Sequence, residues 1–229
     1  MNLKITRIFS VASLLLTTMV SLVEIPAHAQ DPLGTLEDLM PETTEFGGRR
    51  SMNGRIKLFR NHLVHPMPVW SSFADGPAPA EKTKIQTANA KGLYKMSMVP
   101  QDEDFENWQN IFTVVAHENS SRGVRQTGLV VANQFRTICS PANTQIFKVD
   151  LKPHRLIQLV VCGQFSRDRA KGQMAALVTL RNPTGLVTLS RQWRSPAFQS
   201  KVTSDWPISK LEVDRVMAEL AKSRLIPIN

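Results

Sequence analysis

The sequence predicts an α+β protein: an antiparallel sheet of about six strands with two packed helices, in the order β-β-α-β-β-β-β-α, fastened by one disulfide. Three observations predict it. The second half alternates apolar and polar residues in runs separated by marked turns. Two stretches space their apolar residues as helices do. The only two cysteines, Cys139 and Cys162, fall within this patterned region.

Leu93 to Val99 alternates, with Tyr94, Met96 and Met98 on one side, and reads as the first strand of the domain. Gln109 to His117 is rich in β-branched and aromatic residues and reads as the second. After the breaker Asn119 to Gly123, the residues Val124, Val131, Phe135 and Ile138 recur at helical spacing. That helix carries Cys139 at its end, before Pro141 terminates it. Four strands follow, near Gln145 to Leu151, Leu156 to Phe165, Gln173 to Arg181 and Leu186 to Arg194. Their turns are Lys152-Pro153-His154, the charged loop Ser166 to Gly172, and Asn182-Pro183-Thr184-Gly185. Ser204 or Asp205 is expected to cap the last helix, with Pro207 in its first turn and Ile208, Leu211, Val216 and Leu220 as its apolar face.

Upstream, residues 1–29 follow the grammar of a cleavable secretory signal. Lys4 and Arg7 lead, an apolar run spans Ile8 to Val23, and Ala27-His28-Ala29 supplies small residues before a cut at Gln30. The run is short of the roughly twenty residues a membrane-spanning helix needs. The expected location is therefore periplasmic or secreted, where two cysteines close a disulfide. Losing Lys4, Arg7 and Glu24 takes the net charge from +9 to +8, so the basicity belongs to the mature chain. Positive charge of that size favours anionic partners.

Residues 30–90 read as a loosely structured extension before a compact domain at 91–229. An acidic stretch (Glu37, Asp38, Glu42, Glu45) precedes a basic one (Arg49, Arg50, Arg55, Lys57, Arg60). Met52, Ile56, Phe59 and Leu63 stand at helical spacing, which makes 52–64 a candidate amphipathic helix for peripheral membrane contact. Ala74 to Ala80, with Pro77 and Pro79, reads as a semi-rigid spacer.

No nucleophile elbow, zinc-protease helix, phosphate-cradling loop or paired-cysteine knuckle is present, so no catalytic residue is assigned and no cofactor is expected. Weak metal candidates are His62 and His65, three apart on the expected helix, with Met67 close by. The acidic run Asp102, Glu103, Asp104 and Glu106 lacks the glycine turn of a calcium loop and reads as solvated. Arg167, Arg169 and Lys171 cluster on one hairpin loop, with Arg191, Trp193 and Arg194 on the next hairpin. Together they are the candidate anion or partner contacts. The expected function is that of a non-catalytic envelope protein, an accessory subunit or adaptor. Its expected partner is another envelope protein or an anionic envelope component, and not nucleic acid. The alternatives are an enzyme acting on such a component, with Asp168 or Glu106 as acid or base, and an interfacial membrane binder.

Overall fold

The computed structural model describes residues 42–46, 49–68, 70 and 82–228. The signal segment, most of the acidic stretch and the proline spacer lie outside the described residues. Two antiparallel sheets carry the fold. Glu42–Phe46 (β1), Arg49–Leu58 (β2), Asn61–Pro66 (β3) and the C-terminal Arg224–Pro227 (β11) form one, in the order β1-β2-β3-β11. The larger sheet has seven strands in the order β4-β5-β6-β10-β9-β8-β7. These are Thr83–Ala90 (β4), Leu93–Pro100 (β5), Asn110–Glu118 (β6), Thr144–Lys152 (β7), Arg155–Cys162 (β8), Lys171–Asn182 (β9) and Gly185–Pro196 (β10). Helix α1 spans Val124–Ile138 and α2 spans Lys210–Leu220. From β5 to α2 the order is the predicted one, and the class is α+β.

The turns predicted at Lys152-Pro153-His154 and Asn182-Pro183-Thr184-Gly185 close hairpins where expected. A turn the sequence reading did not anticipate joins β4 to β5, where Gly92 takes φ 71°, a conformation that suits glycine. At the β9–β10 turn the Asn182 side chain accepts from the Thr184 amide at 3.1 Å, as turn asparagines do. Cys139 and Cys162 are bonded, with Cα atoms 5.7 Å apart. The bridge ties the end of α1 to the end of β8, as the spacing predicts.

The stretch read as a loose extension is corrected. Its residues 49–66 and 83–90 are strands, and Leu58 and Leu63 lie in the main core beside Phe112 and Val178. The folded unit therefore starts well before Lys91. The expected helix over 52–64 is a hairpin whose turn places Phe59, a bulky residue, at φ 54°. Ile56 and Phe59 pack against the core and Leu63 is buried, so these three residues of the expected stripe face inward.

Helix α2 starts later than the sequence suggests. Ser209, not Ser204 or Asp205, accepts the capping bond, from the Glu212 amide at 3.2 Å, while Thr203–Asp205 makes a separate 3₁₀ turn. The shift turns Leu211 to solvent and buries Val213, Val216, Met217 and Leu220.

The two faces of the large sheet are covered differently. Met174, Val178, Leu189, Phe112 and Val114 point to one face, beneath α2 and the small sheet. Ala175, Leu177, Val160 and Cys162 point to the other, beneath Phe135 of α1. There α1 sits so close that a Cβ on Gly128 would lie 2.2 Å from Leu156.

Candidate functional site

The predicted anion and partner contacts separate into three places. Arg167 and Arg169 are exposed on the β8–β9 loop. Lys171 is drawn to Asp168 at 3.2 Å, so that basic loop is partly self-neutralised. Arg194 lies on the α1 side of the sheet, its guanidinium 3.8 Å from the centre of the Trp108 ring and its Nη1 donating to the Glu106 carbonyl at 3.3 Å. Burial lowers its pKa to about 10. Arg191 and Trp193 point to the opposite face, into the core. Trp193 is 4% exposed and so is not the surface partner contact proposed from its neighbours; alternation along β10 carries it inward.

The metal set also divides. On a strand, residues three apart project to opposite faces, so His62 and His65 cannot converge as they would on a helix. His65 is buried, its ring stacked on Phe112 with centroids 5.2 Å apart and its Nδ1 3.0 Å from the Pro66 carbonyl. Burial depresses its pKa to about 4. His65 and Met67 do meet, over Gly54, where a Cβ would come within 2.9 Å of His65 Nε2 and 2.7 Å of Met67 Sδ. The space that glycine leaves is filled by those two side chains.

The acidic loop is structural. Glu103 accepts from the Gln109 and Asn110 amides at 2.6 and 2.8 Å, and Asp104 from those of Glu106 and Asn107 at 2.9 and 2.6 Å. Both carboxylates are thus engaged by the chain leading into β6.

Around Arg191 the structure gathers residues that sequence reasoning kept apart. Trp70 stacks on its guanidinium at 3.9 Å and Trp193 lies at 5.7 Å. Met67, Phe112 and Glu219 line a cavity of about 10 Å³ beside it. Burial lowers the Arg191 pKa to about 9 and raises that of Glu219. Nothing in the spacing of Trp70 and Glu219 announced them as neighbours of Arg191.

A second feature lies at the open edge of the large sheet. β7 pairs with β8 on one side and carries three exposed apolar residues, Phe147, Val149 and Leu151, at 41%, 60% and 48% exposure. A bulge between Lys148 and Asp150 resets the register. Phe147 therefore shares a face with Leu159 and Leu151 shares the other with Leu156, so apolar surface flanks the edge on both sides. A pocket of about 330 Å³ beside it is lined by Arg136, Pro141, Thr144 and Ile146. Arg136, Lys148 and Lys152 are exposed here, whereas Asp150 is paired with Arg155. The alternation of Phe147, Val149 and Leu151 was legible in the sequence, but a strand so patterned is expected to bury one face.

No protein-family model and no curated protein matches the chain. The crystal structure of the Ran-binding protein Mog1p from Saccharomyces cerevisiae is similar at 12% identity, over 75% of this chain and 94% of that one, with a TM-score of 0.43. That similarity carries no argument about this chain.

Proposed function

We propose that the chain is an exported, non-catalytic envelope protein that acts by binding another protein along the edge of β7. The observation that supports this reading is a nine-residue edge strand, paired with β8 on one side and with no strand on the other among the described residues, with apolar side chains exposed on both of its faces. Such an edge offers main-chain donors and acceptors to an incoming extended segment, and side chains to cover that segment's alternating residues. A strand left this way is otherwise an aggregation hazard. The bulge and the charges Lys148 and Lys152 guard it against pairing with a second copy, since two such edges repel. The same charges favour a partner segment with acidic side chains.

Export rests on the three-part signal at 1–29 and on the disulfide, a bond that persists in oxidising compartments. The mature N-terminus in fractionated cells is expected at Gln30; intact chain in the cytoplasm would refute export. For binding, a photo-crosslinking residue replaces Val149 in one variant and Ile85, on the opposite edge strand β4, in another. The expected outcome is a defined adduct from position 149 alone, identified by mass spectrometry and lost when Lys148 and Lys152 become Glu. Equal adducts from both edges, none from 149, or a cross-linked homodimer would refute the reading.

A further inference from the structure

Buried cations in folded proteins are almost always paired, because desolvating a charge without a partner costs several kcal/mol. Arg191 breaks this rule. It is 8% exposed, the only buried arginine or lysine among the described residues. Its guanidinium makes no hydrogen bond or ion pair with any described residue, and its Nε is buried without a partner. The two carboxylates nearest in charge, Glu212 and Glu219, are held by Arg215 at 2.5 and 3.4 Å. What Arg191 does have is aromatic: the Trp70 ring centre 3.9 Å and the Trp193 ring centre 5.7 Å from its guanidinium carbon. Stacking orients a planar guanidinium while leaving its in-plane N–H donors unspent.

We propose that Arg191 is the receptor of a binding site for a small oxyanion, a carboxylate or phosphate, which enters beside Met67 when the Trp70 indole swings aside. The cavity at Arg191 has room for about one water, so the ligand has to displace a wall. Trp70 is the wall fitted for this. It is only partly buried where it packs against the core, and among the described residues its buried indole Nε1 has no partner, so no hydrogen bond of that group to them holds the ring in place. The remaining walls, Pro68, Phe112 and Val216, are apolar and exclude water from the charge. A guanidinium fork in such surroundings suits the paired oxygens of a carboxylate or phosphate. Glu219 lines the same cavity and sets a size limit: it is paired with Arg215, and its carboxylate repels an anionic ligand that comes within reach of it.

The site is independent of the β7 edge and is tested on the full mature protein. Tryptophan fluorescence and melting temperature are followed during titration with acetate, inorganic phosphate and, as a control, chloride at matched ionic strength. Acetate or phosphate is expected to change the fluorescence saturably and to raise the melting temperature beyond chloride. Arg191→Met removes an unpaired charge and is expected to melt no lower than wild type in chloride, while binding the oxyanion at least ~10-fold more weakly. Arg191→Lys keeps the charge, loses the fork and weakens binding in the same direction. Trp70→Phe keeps the thermal response and loses most of the fluorescence change. Replacing Arg167 and Arg169 by Gln leaves both responses intact. A wild-type protein that does not distinguish acetate or phosphate from chloride overturns the site. So does Arg191→Met or Arg191→Lys responding as wild type does.

Discussion

The two faces of the seven-stranded sheet treat polar groups in opposite ways. On the α1 side, Thr113 and Ser190 meet at 2.6 Å, Gln192 donates to Ser190 at 2.8 Å, and Gln173 donates to Gln192 at 2.6 Å. Thr179 and Thr188 add a cross-strand pair at 3.2 Å. These groups satisfy one another, so their burial costs little. On the α2 side the surroundings are apolar, and Arg191 has no such partner. A paired polar ladder is explained by the sheet that holds it. A single cation in an apolar layer, unpaired among the described residues, is not.

Mutations that break the dry face have the largest expected effect. Phe112, 2% exposed, packs beneath the small sheet, and Phe112→Ala is expected to cost about 4 kcal/mol in urea unfolding. A loss below about 1 kcal/mol would mean that the two sheets are not packed through it. Next comes the disulfide on the other face. Its residues are 23 apart in sequence, and replacing both cysteines by Ser is expected to cost about 3 kcal/mol in the chain-entropy view.

Acid should act on the dry face through His65. Its folded pKa of about 4 lies below the unfolded value near 6.5, so the unfolded chain takes the proton first. Stability is complete above about pH 6.5 and falls as pH drops towards 4, by about 3 kcal/mol from this group. His65→Gln should flatten that limb of the stability curve, and an unchanged acid limb would show that His65 is not the group responsible. The smallest effect belongs to the ladder. Removing both hydroxyls together, Thr113→Val with Ser190→Ala, deletes the pair, though it also takes the acceptor from Gln192; the expected cost is about 1 kcal/mol. A cost as large as that of Phe112→Ala would erase the contrast between the faces.

Most of the large sheet was legible because its signals are local. Pro153, Asn182 and Gly185 punctuate apolar runs of strand length, and Pro141 ends a helix whose spacing is regular. The N-terminal hairpin was not legible, for two physical reasons. Its turn uses Phe59 and Arg60 with no glycine or asparagine, and Met52, Ile56, Phe59 and Leu63 imitate a helical stripe. Ile56, Phe59 and Leu63 pack into the core that the large sheet and α2 supply, a contact that sequence periodicity does not contain. The site residues were legible as residue types but not as neighbours. Reading His62 and His65 as helical joined two side chains that a strand separates, while alternation along β10 sends Arg191 inward and Arg194 to the other face.

The pairing of β11 with β3 sets the order in which the molecule can be finished. Leu225 lies opposite Leu63, with nearly the whole described chain between them. The hairpins of the large sheet close over short loops and can form as soon as their residues are free, whereas this pairing must await residues 224–227. Until those residues are made, Leu58 and Leu63 remain without the edge strand that completes their sheet. That interval is when the protein most needs a chaperone, and when a truncated chain is most exposed to proteolysis.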